Sequence, residues 1–133
     1  MNGLENKPIL ITGKGSIIIL NPKKSKQLSK INNVNFKDLT SPSKPLMKFT
    51  GLINGYGGRF EITNTTIKNG DAEDQLNIIN AEVLISKVDF KNAISDALDC
   101  DYCKGKISDV NFYDVGGDAL DVSGSDIIVS NIK

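Results

Sequence analysis

The chain has 133 residues, with 16 acidic and 16 basic side chains and a formal net charge of zero. This balance predicts no overall field that would attract nucleic acid or an anionic membrane. The length indicates a single domain over residues 1–133, and the longest apolar run, Ile17–Leu20, is far too short to insert across a bilayer. The first residues show neither the basic start nor the apolar stretch of a secretory signal.

A phrase of alternating apolar and polar residues recurs five times. Its copies are Ile31-Asn-Asn-Val34-Asn-Phe36, Ile62-Thr-Asn-Thr65-Thr-Ile67, Ile85-Ser-Lys-Val88-Asp-Phe90, Ile107-Ser-Asp-Val110-Asn-Phe112 and Val129-Ser-Asn-Ile132. Their starts are separated by 31, 23, 22 and 22 residues, so the first interval carries an insertion. A second phrase keeps the same step: Asp74-Gln-Leu-Asn77, Asp96-Ala-Leu-Asp99 and Asp118-Ala-Leu-Asp121.

Superposing the copies aligns side chains of one chemical type, as the interior of a coil requires. Each side chain would stack on its equivalent about 4.8 Å away, the spacing of paired strands. Helix is disfavoured because the apolar residues are β-branched or aromatic and are interrupted every few residues by Gly, Asn, Asp or Ser. Separate antiparallel hairpins would not repeat the same side chain at constant spacing. The pattern therefore predicts an all-β solenoid of about five parallel coils with a period of about 22 residues.

The repeat, with Asp96-Ala-Leu-Asp99 and Asp118-Ala-Leu-Asp121 within it, resembles the right-handed parallel β-helices of the pectin-lyase-like superfamily. That superfamily includes carbohydrate-binding and sugar-hydrolysing proteins, and the resemblance covers roughly residues 9–133. Glu73-Asp74, Asp96–Asp101 and Gly117–Ser125 also resemble β-helix segments that accompany spore-coat-kinase-like modules in large bacterial proteins. The resemblance and the general rule for parallel crossovers together imply right-handed winding.

Two polar segments precede the regular coils. The basic cluster Lys23-Lys24-Ser-Lys26 with Lys30 is interpreted as a solvated loop after Asn21-Pro22, and a phosphate site is the alternative. Residues 37–61 are predicted to be an insertion within an early coil, with Thr40–Pro45 as its turn-rich part. Loops of this kind often form the wall of a binding groove.

The segment Gly55-Tyr56-Gly57-Gly58-Arg59 contains the only arginine of the chain. It has two interpretations. One is a sugar platform in which Tyr56 stacks on the ligand and Arg59 binds a carboxylate. The other is a tight corner that needs glycine for its positive φ angles. Tyr102 and Tyr113 are further candidate ligand-binding residues.

The aspartates of the second phrase are the main candidates for chemistry. Stacking in register would place Asp74, Asp96 and Asp118 in one column, and Asn77, Asp99 and Asp121 in another. Clustered oxygen donors suit Ca²⁺, which takes 6–8 of them. The candidate calcium ligands are Asp96, Asp99, Asp101, Asp118 and Asp121. The alternative is that these aspartates form turns, because an Asp side chain readily accepts backbone N–H bonds there.

The same columns could serve acid/base chemistry on a polysaccharide, with Asp99 and Asp121 as the candidate catalytic residues. Two facing carboxylates could hydrolyse a glycosidic bond, and a calcium-assisted lyase could act on a uronate. However, the chain contains no histidine, no adjacent pair of aspartates and no Gly-His-Gly or Arg-x-Lys segment. These departures from the enzyme pattern favour a chain that is not an enzyme by itself.

Cys100-Asp-Tyr-Cys103 has the spacing of a redox or zinc half-site. In the aligned copies Cys100 takes the position of Ile78 and Val122, and Cys103 takes that of Ala81 and Ser125. The pair is therefore interpreted as a small buried hydrophobe and a small turn residue, and the sequence leaves open whether the two cysteines are bonded or free.

Together these patterns favour a structural scaffold or carbohydrate-contacting module of a larger bacterial surface or secreted protein. A polysaccharide lyase or hydrolase fragment acting on acidic glycans is one alternative, and a self-associating structural unit is another. Because the chain stops partway through a coil at Lys133, further coils or a second copy are expected at the open ends. The predicted partner is a polysaccharide, and neither nucleic acid nor membrane insertion is expected.

Overall fold

The computed structural model describes residues 1–22, 27–41 and 49–133. The strands found there are β1 (Ile9–Thr12), β2 (Ile17–Leu20), β3 (Leu28–Asn32), β4 (Val34–Thr40), β5 (Gly51–Tyr56), β6 (Arg59–Asp71), β7 (Asp74–Ile79), β8 (Glu82–Ala93), β9 (Asp96–Asp101), β10 (Lys104–Val115), β11 (Leu120–Asp121) and β12 (Asp126–Ile132). No stretch of these residues forms an apolar helix long enough to cross a membrane.

The strands form two sheets in which every pairing between named strands is parallel. The larger sheet has the order β1-β4-β6-β8-β10-β12, with β3 also pairing with β6, and the smaller has the order β11-β9-β7-β5-β2. In the larger sheet Ile62 pairs with Ile85, Ile85 with Ile107, and Ile107 with Val129. The predicted β-solenoid of about five turns is thus confirmed.

Each coil turns at residues with positive φ, and these residues also form columns. The first column contains Asn33, Asn64, Lys87, Asp109 and Asn131. A second contains Asp38, Asn69, Asn92 and Asp114, and a third contains Gly57, Asn80, Tyr102 and Gly124. Asparagine, aspartate and glycine tolerate this left-handed region better than other residues, and they occupy every position of the three columns except Lys87 and Tyr102.

The core consists of the columns that point inward. One column, at most 1% exposed, contains Ile31, Ile62, Ile85 and Ile107. A second, equally buried column contains Phe36, Ile67 and Phe90. The rings of Phe90 and Phe112 stack with their centroids 5.3 Å apart. In the smaller sheet Leu76, Leu98, Ile78 and Cys100 point inward and are also fully buried. Because successive side chains of a strand point to opposite faces, these buried columns determine which side chains of each strand face outward.

The register locates the extra residues of the early coil. Thr40 pairs with Asp71, and Gly51 pairs with Asp74. Ten residues (41–50) therefore connect the two strands of one coil, where two (72–73) are enough in the next. Within the predicted insertion 37–61, β4, β5 and the start of β6 follow the regular coil path. Residues 42–48, like those of the basic cluster Lys23–Lys26, lie outside the described residues.

Candidate functional site

The outer face of the smaller sheet carries the two predicted columns. Asp74 pairs with Asp96 and Asn77 pairs with Asp99 across β7 and β9, and Asp121 of β11 pairs with Asp99. The backbone N–H of Asp118 donates to Oδ1 of Asp96 over 2.8 Å, which continues the first column by one coil. The expected in-register stacking is therefore confirmed, and the bond from Asp118 to Asp96 joins two neighbouring coils.

These columns border an open depression of about 230 Å³. Its wall includes Thr50, Asp74, Asn77, Asp99 and Asp101. The strands of the smaller sheet contain five aspartates and neither lysine nor arginine; the aspartates are Asp74, Asp96, Asp99, Asp101 and Asp121. We call this surface the acidic face. Its local charge is strongly negative although the net charge of the chain is zero.

Asn77 is the hydrogen-bonding centre of the acidic face. It is 4% exposed, and its Nδ2 lies 2.6 Å from Oγ1 of Thr50, 3.1 Å from Oδ2 of Asp74 and 3.2 Å from Oδ2 of Asp99. The amide thus separates two carboxylates that would otherwise face each other. Burial raises the pKa of Asp74, although hydrogen bonds from Thr50 and Asn77 oppose that rise.

Asp99 has the most perturbed carboxyl group of the acidic face. Burial, followed by the charges of Asp101, Asp74, Asp121 and Asp96, raises the pKa of Asp99 to about 7. Its Oδ1 is buried and has no hydrogen-bond partner, while Oδ2 contacts Asn77. This carboxyl group can therefore hold a proton near neutral pH.

The predicted calcium ligands lie in the two columns and, for Asp101, beside them. Among the described residues, no group of three or more acidic, histidine or cysteine side chains is arranged to hold a metal ion. Asp99 and Asp101 are two positions apart on β9, a separation of about 6.6 Å between their Cα atoms in an extended strand. Two of these carboxylates also accept hydrogen bonds from the protein. Asp96 accepts one from the N–H of Asp118, and Asp121 accepts one from the hydroxyl of Ser123.

Tyr102 lies directly after Asp101, where β9 ends and the coil turns. Its side chain is 67% exposed, and it borders a second depression of about 370 Å³. The other residues of this wall are Asn80, Ala81, Glu82, Lys104 and Gly105. A Cβ atom at Gly105 would lie 2.0 Å from the carbonyl oxygen of Val83, so glycine is needed to keep the backbones this close. The depression thus combines one aromatic ring with an amide, a carboxylate and an ammonium group.

The remaining candidate ligand-binding residues are placed differently. Gly57 and Gly58, between Tyr56 and Arg59, have φ angles of 67° and 68°, which confirms the tight corner. Nε of Arg59 lies 3.6 Å from Oε1 of Glu82 in the next coil, and Tyr56 is half-buried at the end of β5. Tyr113 lies on the larger sheet, where Nζ of Lys91 is 4.9 Å from the centre of its ring. The structure therefore does not bring Tyr113 into the Tyr102 depression.

The two cysteines are joined, which answers the question that the sequence left open. A disulfide links Cys100 to Cys103, whose Cα atoms are 5.8 Å apart. Both residues are at most 1% exposed. Column position predicted their burial, but it did not show that the corner at Tyr102 turns Cys103 back towards Cys100.

Two residues, one in the acidic columns and one in the Tyr102 depression, were not predicted. Asn54 pairs with Asn77, is 1% exposed and bonds the backbone of Gly51 through both ends of its amide. Asn80 lines the Tyr102 depression. The 23-residue step from Asn54 to Asn77 could have identified the first. The chain matches no protein-family model, no curated protein and no solved structure, so similarity assigns it no family.

Proposed function

We propose that this chain is a β-helix scaffold that contacts carbohydrate at the Tyr102 depression. The observation that carries the proposal is the exposed ring of Tyr102 beside three hydrogen-bonding side chains, Asn80, Glu82 and Lys104. A tyrosine ring offers a rigid apolar face at a small cost in conformational entropy, and nearby polar groups fix the orientation of a ligand. A sugar ring has the matching surface, with an apolar face and hydroxyl groups at its rim.

The charge of the surroundings favours a neutral glycan over a polyuronate. Tyr102 follows Asp101, and the depression therefore adjoins the acidic face, whose strands contain no basic residue. The carboxylates of a polyuronate would be repelled along that face. A buried disulfide is also typical of proteins that fold in oxidising surroundings, which supports a surface or secreted setting.

The test is affinity electrophoresis against soluble neutral glycans (xylan, glucomannan and a mixed-linkage glucan) with polygalacturonate alongside. We expect one or more neutral glycans to retard the chain, and Tyr102→Ala to abolish the retardation. Tyr113→Ala is the matched control, since Tyr113 is also exposed but lies on the other sheet. Retention of binding by Tyr102→Ala, or its loss in Tyr113→Ala alone, would contradict the proposal.

Hydrolysis of a glycan is a second candidate function, and the raised pKa of Asp99 favours it. A protonated Asp99 could act as the general acid, and Asp121 on the adjacent strand could be the second carboxyl group. Release of reducing sugar from a bound glycan, lost in both Asp99→Asn and Asp121→Asn, would support this function. Binding without release would leave the chain as a scaffold.

Self-association is a third candidate, favoured by the surface around β12. Ile128 and Val129 are 68% and 41% exposed, and no described strand pairs with the outer edge of β12. Such an edge can pair with another chain. Sedimentation velocity at increasing concentration tests this, with Ile128→Lys as the variant that should remain monomeric. A constant monomer mass for the native chain would exclude self-association.

A further inference from the structure

Tyr102 has an unusual backbone conformation for its residue type. It stands in the third corner column, where Gly57, Asn80 and Gly124 have φ angles of 67°, 56° and 63°, and its own φ is 54°. Glycine lacks the Cβ atom that clashes in this region, and asparagine tolerates it through local hydrogen bonds. Tyrosine has neither advantage. The corner at residue 102 is therefore more costly to hold than the corners at 80 and 124.

The disulfide supplies a covalent constraint at this same corner. It joins the residues on either side of Asp101 and Tyr102 and closes them into a short ring. The equivalent pairs in the neighbouring coils are Ile78 with Ala81 and Val122 with Ser125, which cannot form such a bond. Among the described corners of this column, the aromatic one alone is bracketed by cysteines.

The next coil forms hydrogen bonds with the segment that the disulfide closes. The hydroxyl of Ser125 accepts the backbone N–H of Cys103 over 2.8 Å and donates to the carbonyl of Cys100 over 2.7 Å. The backbone N–H of Tyr102 donates to the carbonyl of Ser123 over 2.9 Å. These bonds hold both ends of the corner, but similar bonds to the next coil exist at Asn80, whose N–H donates to the carbonyl of Asp101. The disulfide is what distinguishes the corner at Tyr102.

We infer that the Cys100–Cys103 disulfide is a positioning device for Tyr102: it holds the tyrosine in a left-handed corner so that its ring stays presented to a ligand. The inference deepens the proposed function and rests on it only for the identity of that ligand. The backbone constraint itself does not depend on what binds.

The first experiment replaces the disulfide with residues that the chain already uses in the same columns. Cys100→Val copies Val122, and Cys103→Ala copies Ala81. We measure amide order parameters by NMR for the native chain and for this double variant, with Asn80 as the internal control. We expect the order parameter at residue 102 to fall from about 0.85 to below about 0.6, with little change at Asn80. An unchanged value at residue 102 would overturn the inference.

A third substitution separates an effect on Tyr102 from an effect on the whole fold. Adding Tyr102→Asn to the double variant copies the corner at Asn80, and we expect it to restore order at residue 102. If the double variant does not fold, folding of the triple variant still supports the inference, because tyrosine is then the residue that required the bond. Failure of both variants to fold would overturn it, since the disulfide would serve the entire coil.

Glycan binding distinguishes failure of this inference from failure of the proposed function. With xylan, glucomannan and the mixed-linkage glucan as probes, we expect the double variant to bind at least about tenfold more weakly than the native chain. Loss of order at residue 102 without weaker binding would overturn both the presentation of the ring by the disulfide and the proposed site. If the native chain binds none of the three glycans, the proposed site fails, and the order parameters alone decide whether the disulfide holds Tyr102.

Discussion

The ring of Tyr102 lies against the backbone of Gly124, one coil further along the solenoid. A Cβ atom at residue 124 would lie 2.9 Å from both Cδ1 and Cε1 of that ring. Glycine at 124 therefore does two things: it adopts a φ of 63°, and it leaves the space that the tyrosine ring occupies. The position of the Tyr102 ring therefore depends on two coils rather than one.

This contact predicts coupling between the two residues. Gly124→Ala should displace the ring and lower the free energy of unfolding by about 1–2 kcal/mol, the usual cost of a left-handed alanine. Urea denaturation of the two single variants and of Gly124→Ala/Tyr102→Ala measures the coupling. We expect Gly124→Ala to be less destabilising when residue 102 is already alanine. Additive effects would show that the ring and the added methyl group do not compete for space.

The raised pKa of Asp99 predicts a pH dependence of stability. The folded value of about 7 lies above the ordinary 3.8, so the folded chain retains a proton in that interval that the unfolded chain releases. The contribution of Asp99 to stability is therefore complete below about pH 4 and is lost as the pH rises through 7. Asp99→Asn should be more stable than the native chain at pH 8 by about 1–2 kcal/mol, after allowance for solvent screening.

Urea denaturation of the native chain and of Asp99→Asn at pH 5 and pH 8 checks this expectation. Asparagine already occupies the same column at residues 54 and 77, so the substitution preserves the stacking. Asp126→Asn, at an exposed carboxylate of the larger sheet, is the control. Equal pH dependence in Asp99→Asn and the native chain would contradict the assigned role of Asp99.

The central position of Asn77 predicts a large effect of a single added charge. Asn77→Asp would place a third carboxylate next to Asp74 and Asp99. It would also remove the Nδ2 amide group that donates a hydrogen bond to each of them. We expect Asn77→Asp to lower the free energy of unfolding by about 2–3 kcal/mol at pH 8 and by less at pH 5. Asn131→Asp is matched to it, because Nδ2 of Asn131 donates to Asp109 over 2.9 Å at an exposed position. A similar loss in both variants would show that burial of the acidic face has no special effect.

Lys87 predicts a stabilising substitution. It stands at a φ of 54° in a column whose other members are asparagine or aspartate. Lys87→Asn should therefore raise the free energy of unfolding by about 0.5–1 kcal/mol, because asparagine tolerates this conformation better. Thermal unfolding measures the gain, with Lys106→Asn on the same sheet as a control that should show none. No gain at residue 87 would mean that the lysine side chain makes a compensating contact.

Calcium binding remains a prediction, and calorimetry tests it directly. If the predicted ligands bind the ion, titration of the native chain with CaCl₂ should give saturable heat, and no heat would contradict the prediction. The control is the Asp99→Asn/Asp121→Asn variant. Saturable heat in the native chain that is absent from the variant would show that the columns rearrange around the ion.

The parallel solenoid could be predicted from the repeat, because a period of 22 or 23 residues aligns Ile62 with Ile85 and Ile107, and only parallel stacking keeps identical side chains in contact along the core. The acidic columns could be predicted in the same way, since Asp74 and Asp96 are separated by the same step. The burial of Asp99 and the meeting of Cys100 with Cys103 at the corner of Tyr102 could be seen only in the folded chain. A repeat period specifies which residues stack, whereas burial, pKa and corner geometry depend on the distances between different columns, and those distances exist only once the coil has closed.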